Sequence, residues 1–380
     1  MNRIPLFALS ALLHLYIGMR LVSGLIAWPA VAASLAALLL ATAIVIPAGI
    51  AFRRRKHRLA EALNWTSLIA IGLFSSLLVL TLLRDALLLV VGAAAWSWPG
   101  AIDMQKAIEL TALLVPALAV AITLIGLWKA RRTASIVDVD IPITGLPDAL
   151  DGFTIAQISD VHVGPTIKGP YVESIVDAVN RLEADMVAVT GDLVDGSVAE
   201  LHLHVAPLAR LSSRHGTFFV TGNHEYYSGV QGWIRELRRL GMHVLLNEHV
   251  VLRHGSSELL IAGVTDPSGR HFDRAHESSP RQALAGAPDS AQIRVLLAHQ
   301  PRSAEAAADA GFQLQLSGHT HGGQFWPWNL FVRLQQPFTA GLARLRDLWV
   351  YTSRGTGYWG PPNRFGAPSE ITRIRLVPAR

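Results

Sequence analysis

Cysteine is absent from all 380 residues. Its absence excludes disulfides, thiolate metal sites and cysteine nucleophiles, and it fits either side of a membrane. Charge is scarce and unevenly placed. Residues 1–135 hold only 4 Asp/Glu against 12 Lys/Arg, whereas residues 136–380 hold 24 against 21. The net charge of +5 therefore comes entirely from the first third of the chain. The remainder has no basic excess, which removes the electrostatic ground for nucleic acid as a partner.

Apolar residues make up 51% of the chain, and the excess is concentrated where acids are missing. A bilayer core takes ~20 mostly apolar residues per helix. Spans are expected at about Ile4–Ala27, interrupted by Arg20, at Val31–Phe52 and at Leu110–Trp128. Another starts near Trp65, reaches Leu83, and continues past Arg84-Asp85 to Trp96. That region is too long for one upright helix, so it either tilts or adds an interfacial piece ending at Trp96 and Trp98. A buried all-α soluble domain is the competing reading, but several uncharged spans in series speak against it. Arg20 is expected to snorkel to the interface. No clustered intramembrane charge of the kind a transporter uses is evident.

Short loops set orientation through Lys and Arg. Arg53-Arg54-Arg55-Lys56-His57-Arg58 and Lys129-Ala130-Arg131-Arg132 both call for the cytoplasmic side. About four spans satisfy them, giving a multi-pass protein of the inner (cytoplasmic) membrane with its remaining domain in the cytoplasm.

From Ile136 the texture changes. Val137–Ile141 alternates with period two, as an edge or half-buried strand does. Short apolar runs then recur, and five end alike. Ile155–Ser159 leads to Asp160-Val161-His162, and Met186–Thr190 to Gly191-Asp192-Leu193-Val194-Asp195. Phe218–Thr221 leads to Gly222-Asn223-His224-Glu225, Val295–Ala298 to His299, and Leu314–Ser317 to Gly318-His319-Thr320-His321. Helix-like stretches at Tyr171–Leu182, Leu201–Leu211 and Trp233–Leu240 separate them. Alternating strands and helices predict a layered α/β fold, whose ligands gather beyond the carboxyl ends of the strands. Each Asp-x-His or His-x-His alone reads as a surface turn; five together read as one site. Gly191, Gly222 and Gly318 allow a sharp turn or a close backbone approach there.

Asp160, His162, Asp192, Asn223, His299, His319 and His321 offer oxygen and imidazole donors without sulfur, a set that suits Mn, Fe, Zn or Co. They are too many for one ion. They suit two divalent ions ~3.5–4 Å apart with a shared carboxylate, the arrangement used for in-line displacement at phosphorus. His202-x-His204 lies in a helix-like run where i and i+2 diverge, so shared ligation is not expected. His215, His243, His249, His254, His271 and His276 are expected to be solvated.

These blocks, in this order, resemble those of the calcineurin-like metallophosphoesterases. The resemblance covers about residues 150–378, including Ser353-Arg354-Gly355-Thr356-Gly357, and Gly318–Gln324 looks like the bacterial membrane-linked branch. It implies a metallophosphoesterase-like αββα sandwich, here preceded by an all-α transmembrane region of about four helices. The expected division is 1–132 transmembrane region, 133–149 linker and first strand, and 150–380 catalytic domain. The resemblance also implies roles. Asp160, His162 and His321 hold one metal, Asn223, His299 and His319 the second, and Asp192 bridges both, with Mn favoured. A hydroxide between the metals is the nucleophile. His224 stays unligated and faces the leaving oxygen as general acid or hydrogen-bond donor, and Asp195 orients it. The competing reading of Asp195 is a carboxylate at a helix start.

Phe325-Trp326-Pro327-Trp328-Asn329-Leu330-Phe331 follows the last block, with Phe338, Trp349, Tyr351, Tyr358 and Trp359 beyond. It reads either as loop packing or as an apolar wall that rests on the bilayer or takes an acyl chain. The expected substrate is a phosphoester, a phosphodiester or pyrophosphate of a lipid or nucleotide-lipid. The alternative is a membrane sensor that binds metal or a phosphorylated ligand with little turnover.

Overall fold

A computed structural model of the chain describes residues 4–52 and 58–379. The basic residues 53–57 lie outside the described residues. The chain divides into two compact units, one of residues 1–129 with 360–365, the other of 130–359 with 366–380.

In the first unit, four helices are long and apolar enough to cross a membrane. They are α1 (Ile4–Leu21), α2 (Pro29–Phe52), α3 (Arg58–Ser97) and α4 (Met104–Arg131). Ile17, Leu21, Leu39, Leu77, Ala112 and Val115 form their shared core. Leu12, Leu40, Leu89 and Leu124 point outward, as a lipid-facing surface requires. α3 is one unbroken helix of 40 residues, ~60 Å at ~1.5 Å per residue, about twice a ~30 Å bilayer core.

Arg84-Asp85 does not end α3, because both charges are answered by neighbouring helices. Asp85 accepts from Tyr16 Oη at 2.7 Å and Arg20 Nε at 2.8 Å, while buried Arg84 donates to Thr111 Oγ1 at 2.9 Å. Two expectations are corrected here. Arg20 pairs with Asp85 instead of snorkelling alone, and the spans do gather charges. Residues 360–365 pack with this helical unit, where the Arg364 N–H donates to the Gly126 carbonyl at 3.1 Å.

The second unit is built on two six-stranded sheets. The strands are β1 (Ser135–Ile143), β2 (Thr154–Ile158), β3 (Met186–Val189), β4 (Thr217–Phe219), β5 (His243–Val244), β6 (Glu248–His254), β7 (Ser257–Gly263), β8 (Ile293–Leu297), β9 (Leu314–Ser317), β10 (Gly341–Leu345), β11 (Leu348–Thr352) and β12 (Glu370–Pro378). One sheet runs β1-β12-β2-β3-β4-β5 and the other β10-β11-β9-β8-β7-β6. β1 is the edge strand that its alternation predicted. β2–β5 are parallel, as are β7, β8, β9 and β11.

Ile155, Phe218, Leu259, Val295, Leu316 and Ile374 pack between the two sheets. The outer face of the first sheet is covered by α5 (Gly169–Asn180), α6 (Val198–Val205), α7 (Asn223–Tyr227) and α8 (Val230–Arg239), through Val172, Val176, Leu201 and Trp233. The outer face of the second carries α9 (Pro280–Ala283) and α10 (Ala304–Asp309), through Ala283, Ala304 and Ala307. The layers are therefore αββα. Parallel strands need such cover on both faces, and their carboxyl ends point the same way within each sheet.

Candidate metal centre

Five strand ends meet in one place: those of β2, β3 and β4 from the first sheet and of β8 and β9 from the second. They carry all seven ligands expected from the sequence. Asp160, His162 and His321 offer donor atoms within 4.8 Å of one another, and so do Asp192, His299 and His319. Asp192 Oδ2 lies 3.1 Å from His299 Nε2 and 4.0 Å from His162 Nε2, so it faces both groups.

The backbone is strained where it presents these donors. Asp160, His162, Asp192, His319 and His321 all adopt left-handed φ angles between 51° and 69°, which cost a non-glycine residue ~1–2 kcal/mol each. Such strain persists only where the surroundings over-determine it, and it gathers at functional sites. Two glycines make the crowding feasible. Gly191 has φ +85°, and a Cβ there would lie 2.7 Å from His299 Nδ1. A Cβ on Gly222 would collide with the Asp192 carboxylate.

Three observations test the fit to metal. Asn223 Oδ1 is buried and has no hydrogen-bond partner, a costly state for an acceptor unless a cation meets it. His162 Nε2 lies 3.1 Å from His321 Nε2, and His319 Nδ1 lies 3.2 Å from His299 Nε2. Two nitrogens ~2.1 Å from one ion would be separated by about 3.0–3.4 Å. Burial, aided by the His299 and Arg302 charges, pushes the His319 imidazole down to about 3. The residues fit a pair of divalent cations.

Electrostatics tie the acids and imidazoles together. Burial alone would raise Asp192; the charge and hydrogen bond of His299 outweigh it and hold the carboxyl well below the usual range. Burial also works against protonation of His299, but Asp192 overrides it and raises the imidazole. For Asp160 burial wins, and its pKa rises.

His224 sits beside both groups, and with His162 and Asp195 it forms a third set of donors within 4.8 Å of one another. Its Nδ1 bonds Asp195 Oδ1 and its N–H donates to Asp192 Oδ1 at 2.8 Å. Burial lowers its pKa, yet the Asp195 hydrogen bond and the charges of Asp192 and Asp195 lift it to about 9. Its ring makes edge contacts with Tyr227 and Trp359, at centroid distances of 5.4 and 5.8 Å. Asp195 does more than the sequence suggested, since the same oxygen lies 3.2 Å from His162 Nδ1. His162 and His224 together hold the Asp195 carboxyl far below its normal range despite burial.

Glu225 was part of a recognised block but had no assigned task. It is fully buried and accepts from the backbone N–H groups of Asp192, Leu193 and Gly222 at 3.0, 2.7 and 2.6 Å. It thus ties the β3 and β4 ends together. Only the acid directly after the Asn223-His224 pair hinted at this. His276 is a correction. Expected in solvent, it is buried and bonds Tyr226 Oη through Nδ1 at 2.8 Å. His202 and His204 stay on α6 and do not reach the centre.

Fold and site together define an αββα protein with paired Asp/His/Asn clusters at converging strand ends. The calcineurin-like phosphoesterase family profile matches residues 153–323. A "Transmembrane protein with metallophosphoesterase domain" from Danio rerio is 39% identical over 262 residues, 67% of this chain and 60% of that protein. Its Bos taurus counterpart is 38% identical over 293 residues, 74% of this chain and 65% of that one. An "Uncharacterized metallophosphoesterase" from Aquifex aeolicus is 33% identical over 224 residues, 58% of this chain and 84% of its own length. The chain belongs to the calcineurin-like metallophosphoesterase family. It spans less than two thirds of the two vertebrate relatives.

Proposed function

We propose that the protein is a membrane-anchored phosphoesterase working with two divalent cations. The observation that carries the reading is the convergence of seven candidate donors at five strand ends, with Asp192 Oδ2 facing both His299 and His162. Asp160, His162 and His321 would hold one ion, Asn223, His299 and His319 the other, and Asp192 both. Mn is favoured within the range that oxygen and nitrogen donors allow. When bound, such a pair supplies Lewis acidity toward a phosphoryl oxygen and lowers the pKa of water.

The chain's own residues supply the rest. Asp195 orients His224 by accepting from Nδ1, which would leave Nε2 to give a proton to the departing oxygen of the ester. Glu225 and the crowded glycines hold the strand ends in register, so little reorganisation is needed during reaction. The division at residues 132 and 150 belongs to this reading, as does a cytoplasmic catalytic domain in the inner membrane. Protease should then cleave the domain in inverted vesicles and spare it in right-side-out ones; the reverse would place it outside.

A phosphodiester or pyrophosphate of a lipid or nucleotide-lipid is the favoured substrate class. Trp328, Leu330, Phe331 and Leu334 expose 45–80% of their surface in one short stretch, the kind of apolar patch that marks a lipid or partner contact. The test is a screen of purified, metal-reloaded protein against monoesters, diesters and nucleotide-lipids. Diesters or lipid-linked esters should turn over fastest, and the Trp328→Ala/Phe331→Ala variant should lose at least ~10-fold more activity on a lipid ester than on a small chromogenic diester. Equal losses would remove the lipid assignment, and no turnover of any ester would remove the enzyme reading.

A further inference from the structure

Beside the centre lies a cleft of about 490 Å³, within the ~300–1,000 Å³ of a small-molecule site. Asn223 and His319 form one end, and Arg270 and Arg302 also line it, with Glu277 the one acidic side chain. Both arginines are exposed, and neither guanidinium has a hydrogen-bond or ion-pair partner among the described residues. Neither does any task in the reading above.

The two arginines sit on separate loops that are cross-braced. Arg270 follows β7, on a turn pinned by Asp266, which accepts from Ser268 N at 2.8 Å and Ser268 Oγ at 2.6 Å. Arg302 follows β8, three residues past His299. Asp266, fully buried, also accepts from Gln300 Nε2 at 2.9 Å. Gln336 closes the brace, donating to Gln300 Oε1 at 3.1 Å and accepting the Arg302 N–H at 3.2 Å. A buried carboxylate and two glutamines thus fix the bases of two free cations at the mouth of the centre. Such pre-organisation lowers the ordering cost of binding, and guanidinium forks match phosphate oxygens.

We infer that Arg270 and Arg302 form a second anion subsite, so that the preferred substrate carries another phosphate next to the one at the metal centre, as a diphosphate does. The inference rests on the phosphoesterase reading for the first phosphate and adds no bond-making step of its own. Of the two bond types favoured above, phosphodiester and pyrophosphate, it selects substrates with two adjacent phosphates.

The test compares binding of AMP, α,β-methylene-ADP and inorganic phosphate to the full-length, Mn-loaded protein in detergent, by calorimetry. AMP and the methylene analogue differ by one phosphate, and the analogue resists hydrolysis between its phosphates. Wild type should bind the analogue about 10–100-fold more tightly than AMP. Arg270→Ala/Arg302→Ala should erase that preference at unchanged metal content, and the paired Lys variant should recover part of it, because charge persists while the fork is lost. No preference in wild type, an undiminished preference in the Ala pair, or binding of inorganic phosphate alone would each overturn the inference. A preference that follows the arginines in a protein that hydrolyses no ester would uphold the subsite and sink the enzyme reading instead.

Discussion

Asp192→Asn is expected to lose bound metal and turnover together. Asp192 is almost fully buried and its Oδ2 faces His299, His162 and His224 at 3.1, 4.0 and 4.0 Å. Its carboxylate thus faces residues of both groups. The amide is nearly isosteric, so the loop should keep its shape: Glu225 holds the Asp192 and Leu193 N–H groups from the backbone side. What disappears is the buried negative charge that would offset bound cations, where an uncompensated charge is costly. Loss of residues that merely support a ligand costs ~10–100-fold in metal affinity, and removing a shared ligand should exceed that. Metal analysis after dialysis, alongside a circular dichroism spectrum, checks it. Full metal occupancy in a folded variant would count against the bridging role.

His224→Ala should behave in the opposite sense for metal. The side chain belongs to neither the Asp160 nor the Asp192 triplet; its Nε2 lies 4.0 Å from Asp192 Oδ2, and its hydrogen bond to Asp192 is made by the backbone N–H, which alanine retains. Asp195 keeps its second partner, His162 Nδ1. The variant should therefore bind metal normally and lose ~10²–10⁴-fold in turnover, the usual contribution of a general acid–base group. The loss should be largest on esters with poor leaving groups, which need the proton most. Near-normal turnover on such an ester would remove His224 from the mechanism. The pair of variants separates holding the ions from moving the proton.

The candidate ligands were legible in the sequence because each sits two to four residues beyond a buried strand, and the period of those strands survives in the apolar pattern. The glycines were legible for the same reason, since only a residue without a side chain tolerates the Gly222–Asp192 approach. What stayed hidden depends on segments far apart in sequence. Glu225 accepts from the β3 and β4 ends at once. The Asp266–Gln300–Gln336 brace joins three loops. His276 looked solvated because its neighbours are polar, yet Tyr226 draws it inward. α3 runs unbroken through Arg84-Asp85 because Tyr16, Arg20, Thr111 and the Ile108 carbonyl on other helices answer those charges. Local pattern reports which faces are buried, and it says little about which polar groups will satisfy one another.

The central claim is a centre that holds two ions and hydrolyses a phosphoester with them. Metal analysis of the purified wild-type protein, titrated with Mn²⁺ after chelation while turnover of a chromogenic diester is followed, tests it most directly. The account predicts two ions per chain and turnover that appears only as the second site fills. Full activity with one ion per chain, or with none, would contradict it.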